Sequence, residues 1–453
     1  MSKKLDRRDF LRRSGAVAAS AGLAAAACAT HPRSATAGEA SPNERLAIGF
    51  IGMGGRGSYL LRQTLASEQA DIVAICDVAQ ANVDQAAEMV KRKSKKDPQK
   101  FQDFRKLLEM KEVQAVLIAT PDHWHPLQTI LACQAGKDVY VEKPISQNIA
   151  EGLAMIKAVR DTKRVCQVGL MQRSGDDFIN AAAYVQSGKL GKIAFARAWF
   201  VRTRENIGNP PNGDPPAGLD WDLWLGPAPK VPFNPARYRI DLPTGPYGSW
   251  RWFWDYAGGQ LCDWGPHMLD VVRWALKLGM PLSASAGGGK FVFNDCRECP
   301  DTLEVVYEYP GVSVLWEHRQ WTNRAPEPGR YHGIEFYGEK ATLFIDRTGW
   351  EVFPEEGGEK AGKPGEIGKE RTAEEQHDQK HIVNFIECCK SRKDPIVPIE
   401  EGFMTTATCQ LGNISFRSGT KVLWDDKAKT ILNNPEAMKY FSRTYREPWK
   451  LPA

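Results

Sequence analysis

Residues 46–77 set three signals in an order that few folds accommodate. A short apolar run, Leu46-Ala47-Ile48-Gly49-Phe50-Ile51, leads directly into Gly52-Met53-Gly54-Gly55-Arg56-Gly57. A helical pattern through Tyr59, Leu60, Leu61 and Leu65 follows, and then a second apolar run, Ile72–Cys76, ends at Asp77. A G-x-G-x-x-G by itself constrains little. Between a strand and a helix, with an acid twenty residues after its last glycine, it describes a dinucleotide-binding unit. The glycines let the backbone approach a pyrophosphate whose charge sits at a helix amino terminus. Asp77 can accept hydrogen bonds from ribose hydroxyls and repels a 2′-phosphate, so NAD is expected rather than NADP.

The alternation continues. A helix near residues 80–93 precedes Val113–Ala119, a helix over His123–Ala135 precedes Val139–Glu142, and another helix precedes Val165–Val168. This predicts an α/β chain whose residues 45–168 form a doubly wound parallel Rossmann sheet, with ligands beyond the carboxyl ends of the strands. Thr120-Pro121-Asp122-His123-Trp124-His125 and Glu142-Lys143-Pro144 both fall at such ends. A lysine there can hydrogen-bond a hydroxyl and stabilise developing oxyanion charge. Pro144 restricts Lys143 to an extended backbone and so fixes its exit direction.

From Gly169 the pattern changes to longer strands, including Ile193–Arg202, Thr302–Tyr309 and Val312–His318. Residues 169–453 are read as a C-terminal α+β domain with a mostly antiparallel sheet. Within it, Asp263 and His267 are four apart, so a helix would bring them onto one face. Leu261, Cys262, Trp264, Met268 and Leu269 around them predict partial burial. A buried carboxylate can hold an imidazole that takes a proton from an alcohol.

Gly52–Gly57, Asp77, Thr120–His125, Glu142-Lys143-Pro144 and Gly258-Gly259-Gln260-Leu261-Cys262-Asp263-Trp264-Gly265-Pro266-His267 together resemble the Gfo/Idh/MocA family, named for glucose–fructose oxidoreductase and inositol dehydrogenase. The resemblance runs from Leu46 to Trp424. It implies His267 as general base, Asp263 as its partner or a substrate ligand, and Lys143 as the group that polarises the hydroxyl. It also implies cofactor contacts at Gly52, Met53, Gly54, Gly55, Arg56, Gly57, Asp77, Thr120, Pro121, His125, Glu142 and Lys143. Gln172, Arg173 and Tyr256 are expected on the substrate side. An oligomer built on the open sheet face is implied as well.

The net charge of +5 is local. Residues 1–37 carry seven basic and two acidic groups, which leaves the remainder formally neutral and without a general electrostatic reason to bind nucleic acid. The basic run Lys91–Lys96 reads as a solvated helix end. Arg7-Arg8-Asp9-Phe10-Leu11-Arg12 resembles a twin-arginine motif, an Ala-rich stretch spans Gly15–Ala29, and Ala35-Thr36-Ala37 suits cleavage. Residues 1–37 are therefore expected to be a signal peptide that engages the twin-arginine machinery and delivers the chain to the periplasm. Cys28, after Ala25-Ala26-Ala27, is a lesser alternative as a lipid attachment point.

Ten cysteines in 453 residues are not a disulfide scaffold, and Cys296-Arg297-Glu298-Cys299 reads as ordinary thiols. His377 and His381 have helical spacing but no further ligands, so no metal site is expected. Residues 199–274 hold eight of the fourteen tryptophans amid Pro and Gly, with Asn209–Gly218 expected as loop. Core packing or subunit contact is the default for each ring, while the cluster suits a carbohydrate-sized substrate. Pro354–Gly368 reads as a surface loop.

These features predict an exported oxidoreductase with tightly retained NAD, acting on a hydroxyl of a sugar, cyclitol or glycoside. Export separates it from a cellular cofactor pool, so paired redox of two sugars is one expected outcome. A redox-neutral cleavage, elimination or epimerisation through transient oxidation is the alternative; a non-catalytic sugar-binding relative is the third. The resemblance includes a group of exported NAD-dependent glycosidases with a histidine in a Thr-His-Gly context. Trp264-Gly265-Pro266-His267 departs from that pattern.

Overall fold

The computed structural model describes residues 45–238, 248–355 and 374–452. Six strands form the first sheet: β1 (Leu46–Ile51), β2 (Ala70–Cys76), β3 (Gln99–Phe101), β4 (Ala115–Ile118), β5 (Asp138–Val141) and β6 (Cys166–Val168). All pair in parallel, in the order β3-β2-β1-β4-β5-β6. Every residue of β4 and β5 is buried, as strands covered on both faces require; the one charged residue among them, Asp138, is paired with Arg392. The order reverses between β1 and β4, which opens a crevice at the carboxyl ends of those strands. The short edge strand Gln99–Phe101 and the helix Phe104–Leu108 are two elements that the periodicity did not announce.

Helices Gly55–Ser67, Gln80–Ser94, His125–Gln134 and Ile149–Thr162 connect these strands. Asn148 caps the last of them reciprocally with Glu151, an arrangement worth about 1 kcal/mol. That cap also fixes the far end of the segment that carries Lys143. The first sheet is not covered by residues 45–168 alone. Ile382, Phe385 and Ile386 of the helix Glu374–Ser391 join its core beside Leu60, Leu61 and Tyr140.

The second sheet contains β7 (Ile193–Val201), β8 (Ser283–Gly289), β9 (Thr302–Tyr309), β10 (Val312–Arg319), β11 (His332–Gly338), β12 (Ala341–Asp346), β13 (Gly349–Pro354), β14 (Val422–Asp425) and β15 (Thr430–Ile431). Their order is β13-β12-β11-β7-β10-β9-β8-β14-β15; β7 and β10 are parallel and the other pairs antiparallel. In β9, Leu303, Val305 and Tyr307 are buried while Glu304, Val306 and Glu308 are exposed, so one face packs and the other is open. Helix Ile399–Ser418 is buried along most of its length and packs against both β8 and the helix Ile149–Thr162. Residues 203–216 have no regular structure, in keeping with their Pro and Gly content. No helix among the described residues is long and apolar enough to cross a membrane. The export signal expected over residues 1–37, with Cys28, lies outside the described residues, as does most of Pro354–Gly368.

Candidate active site

The turn after β1 is shaped by two glycines for different reasons. Gly52 has φ of +88°, and a Cβ on it would meet the backbone of Ala119 and Thr120 at 2.8 Å. A Cβ on Gly57 would lie 1.9 Å from the carbonyl oxygen of Gly52, so only glycine lets the helix start this close to the strand. Gly54 and Gly55 have nothing within 4 Å of an added Cβ and line a cavity of about 730 Å³. That open approach at the amino terminus of the helix Gly55–Ser67 fits a pyrophosphate. Asp77, at the end of β2, accepts hydrogen bonds from the N–H groups of Met53 (2.5 Å) and Ala79 (2.8 Å) and lines the same cavity. Burial pushes its carboxyl upward, against the pull of those amides. NAD fits this cradle, with Asp77 placed for ribose hydroxyls.

The chemistry-bearing residues meet farther along the cavity. Lys143 leaves the end of β5 and donates from Nζ to the backbone oxygen of Asp263 at 2.6 Å, with Oδ1 of the same residue at 3.3 Å. Arg251 donates from Nε to that Oδ1 at 3.2 Å. Burial opposes ionisation of Asp263, but Lys143 and Arg251 outweigh it and hold its carboxyl well below the usual carboxylate range. His267 is 8% exposed, lines the cavity, and its Nδ1 has no hydrogen-bond partner. Burial, reinforced by Lys143 and Arg347, holds its imidazole well below the ordinary histidine value, so the ring is neutral and can accept a proton.

Asp263 and His267 do not share one helix. Asp263 ends the helix Gly259–Asp263, and His267 lies on a new helix, Gly265–Leu276, which begins with Pro266 in its first turn. Proline has no N–H to continue the first helix and is suited to start the second. The carboxylate therefore bonds Lys143 and Arg251, and no hydrogen bond joins it to the imidazole. This corrects the expected Asp263–His267 pairing.

Gly52, Gly54, Gly55, Arg56, Asp77, Thr120, Pro121, His125, Glu142, Lys143, Asp263 and His267 all line this cavity. Met53 is buried and contributes through its backbone N–H, and Gly57 packs against Gly52. Arg56 is also a strut: Nε donates to Glu142 (2.8 Å) and Nη2 to Asp378 (2.6 Å), which ties the glycine turn to the helix Glu374–Ser391. His125 sets Nδ1 against the carbonyl oxygen of Pro144 (2.7 Å) and Nε2 against that of Thr120 (2.8 Å), bracing two strand ends together.

Three expected substrate contacts are placed elsewhere. Arg173 lies buried in a two-pronged bond to Asp270, both at 2.8 Å, and a third to Glu401 at 2.9 Å. Gln172 is 1% exposed and does not line the cavity. Tyr256 is fully buried among His123, Trp224 and Phe253, because its ring completes an aromatic core.

The structure adds Asp122 and Arg251 to the cavity wall. Asp122 is 6% exposed, and burial raises its carboxyl well above the usual range even though Lys143 and Arg251 favour its charge. Its position right after Thr120-Pro121 at a strand end was a usable signal. Of the tryptophan-rich stretch, Trp224 and Trp250 line the cavity, while Trp199 is fully buried core. Cys296 and Cys299 are free thiols. His377 faces Asp177 at 3.0 Å and His381 meets Ser174 at 2.8 Å; among the described residues no group of three or more His, Cys, Asp or Glu is placed to hold a metal ion.

Comparison with known proteins places the fold. The chain is 28% identical over 264 residues to glycosyl hydrolase family 109 protein 1 from Shewanella sp. (strain ANA-3), covering 55% of this chain and 50% of that protein. The chain thus spans about half the length of the curated relatives it matches. Levoglucosan dehydrogenase, solved in complex with NADH and levoglucosan, superposes with a TM-score of 0.63 at 18% identity over 84% of this chain and 99% of its own. An aldose-aldose oxidoreductase from Caulobacter crescentus, complexed with glycerol, gives 0.62 at 19% identity over 84% of this chain and all of its own. These likenesses establish the fold. Residues 46–170 match the family model for the oxidoreductase family's NAD-binding Rossmann fold, and residues 230–423 match that for its C-terminal alpha/beta domain. With both halves matched, and NAD as the cofactor of the first, this chain belongs to the Gfo/Idh/MocA family of oxidoreductases.

Proposed function

We propose that the protein oxidises a secondary hydroxyl of a sugar, cyclitol or glycoside. The observation that carries this reading is the contact of Lys143 with Asp263 in the cavity that His267 and the glycine turn also line. Bound NAD supplies a two-electron hydride acceptor. The neutral imidazole of His267 takes the hydroxyl proton, and the ammonium of Lys143 donates a hydrogen bond to the same oxygen as charge develops on it. Asp263, anchored by Arg251, holds the ammonium in place. Asp122, kept toward its protonated form by burial, can donate to a second substrate hydroxyl. Trp250, half-buried at the cavity wall, offers an apolar surface for a sugar ring, while Trp224 is stacked on Trp221 and backs that wall.

Residues 1–37 direct the protein out of the cytoplasm already folded, and the nine free cysteines of the described residues support folding in a reducing compartment. NAD is then loaded before transport and retained. The open face of the second sheet exposes Val306, Phe353 and Leu423, which supports self-association there. The likeness to a glycosyl hydrolase family 109 protein favours one second reading, glycoside cleavage through transient oxidation.

The test uses the purified exported protein. Bound nucleotide is first assayed, and candidate sugars are then added while nicotinamide absorbance is followed. Reduction limited to one equivalent until an acceptor sugar is supplied supports paired redox. Sustained bond cleavage with no net reduction supports the second reading. No change with any sugar, with intact bound NAD, overturns both.

A further inference from the structure

A second cavity, of about 620 Å³, lies beside the first; Ala257 lines both. Lys143, Asp263 and His267 line only the first, whereas Gln410, Asn413 and Arg417 line only the second. These last three share one face of the helix Ile399–Ser418 through their i, i+3 and i+7 spacing. Gln147 and Asn148, just beyond the Lys143 loop, line it too.

Its polar groups are unevenly satisfied. Gln410 donates from Nε2 to the backbone oxygen of Ser146 at 2.8 Å, and Asn413 donates from Nδ2 to that of Gly258 at 2.8 Å. Both side chains are more than nine-tenths buried, yet Gln410 Oε1 and Asn413 Oδ1 accept from nothing. Buried acceptors in this state call for donors supplied from outside the chain. Arg417 is held between the rings of Trp254 and Tyr440, with its guanidinium carbon 4.7 Å and 4.1 Å from their centroids. Among the described residues no carboxylate pairs with it. The neighbouring charges are already committed: Arg443 to Glu151, Lys439 to Glu436, and Asp255 to Arg237. A guanidinium oriented by stacking, with its N–H fork unspent, suits an oxyanion.

We propose that this second cavity binds an acidic sugar, a polyol bearing a carboxylate or phosphate. Arg417 holds the anion, and the oxygens of Gln410 and Asn413 accept from the hydroxyls. The site is separate from the catalytic cavity and does not rest on the reaction assigned there.

Isothermal titration of the NAD-loaded full chain with glucuronate, glucose 6-phosphate, glucose and inorganic phosphate tests it. At least one of the two acidic sugars should bind, with glucose weaker by about tenfold or more, the scale of one lost charge-assisted contact. Arg417→Gln should weaken that binding about tenfold, while Lys143→Met leaves it unchanged. Ser442→Glu places a carboxylate at an exposed lining position and should weaken it similarly without disturbing packing, which covers the case where Arg417→Gln misfolds. The proposal is overturned if neither acidic sugar binds, or if binding survives both Arg417→Gln and Ser442→Glu. Loss of binding in Lys143→Met also overturns it, by assigning the ligand to the catalytic cavity. Inorganic phosphate binding as tightly as glucose 6-phosphate overturns it too, because the polyol contacts would then contribute nothing.

Discussion

Lys143 and Asp263, 120 positions apart in the sequence, meet with Nζ 2.6 Å from the backbone oxygen and 3.3 Å from Oδ1. The strand end of the dinucleotide half thereby delivers an ammonium to a carboxylate of the second half. Burial works against the charge on Asp263, and Lys143 with Arg251 more than compensates.

Lys143→Met removes the donor to the reacting oxygen while Arg251 still pairs with Asp263 at 3.2 Å. The carboxylate is not orphaned, so the variant should fold. Its turnover should fall by about 10²–10³-fold, the effect of deleting one donor to a developing oxyanion. NAD affinity should stay within about twofold, since the pyrophosphate and ribose contacts lie elsewhere. Steady-state kinetics and nucleotide titration measure the two effects, and turnover near the parent's would remove Lys143 from the mechanism.

Arg56 bridges Glu142 and Asp378, whose side chains are 5% and 1% exposed. Arg56→Leu leaves two buried carboxylates without their cation. Breaking a buried pair from one side costs about 3–5 kcal/mol; the partly open guanidinium places this case at about 3. Urea denaturation reads the loss. A change below about 1 kcal/mol would mean that water already solvates both acids.

The apolar framework was legible because β1, β2, β4 and β5 each hold a run of at least three consecutive apolar residues, and those of β1, β2 and β5 are closed by Gly52, Asp77 and Glu142. β3 was not, since Gln99-Lys100-Phe101 is three residues long and half open to solvent, with no period to read. At the site, spacing misled where partners came from afar. Asp270 and Glu401 take up Arg173 from 97 and 228 positions away, distances at which no local pattern speaks. The four-residue spacing of Asp263 and His267 suggested one helix, and Pro266, three residues beyond Asp263, was the local sign that a new helix starts. Tyr256 carried a hydroxyl suited to a substrate, but its aromatic neighbours decided its place.

The two kinds of glycine in the turn after β1 separate fold from binding. Gly57→Ala would set a Cβ 1.9 Å from the oxygen and 2.9 Å from the carbonyl carbon of Gly52, a backbone clash that no flexible side chain can relieve. That variant should lose several kcal/mol of stability, at the scale of a severe core clash, about 3 or more. Gly54→Ala meets nothing within 4 Å and should leave stability within about 1 kcal/mol while weakening NAD binding. Thermal melts of the two proteins, paired with nucleotide titration, should therefore rank them in opposite order. Equal melting temperatures would contradict the close approach.

Burial lowers several histidines and makes the fold sensitive to mild acid; His318 and His381 are two whose neutral rings are hydrogen-bonded at both nitrogens. His318 accepts from the indole N–H of Trp316 at Nδ1 and sets Nε2 against the carbonyl oxygen of Pro300. His381 accepts from the Ser174 hydroxyl at Nδ1 and donates from Nε2 to the carbonyl oxygen of Val168. Each environment is satisfied by the neutral ring, and burial pushes both imidazoles down to about 4. In the unfolded chain they titrate near 6.5. The folded pKa is thus the lower one, so the unfolded state binds more protons between these values. The contribution is whole above about pH 6.5 and is lost as pH falls through about 4, on the order of 3 kcal/mol per ring. Urea midpoints should decline between about pH 7 and about pH 5, before most carboxylates titrate. His381→Gln should make that decline shallower by one ring's share even if it lowers stability at neutral pH. A midpoint unchanged across the interval would show that the folded protein takes up these protons as readily as the unfolded chain.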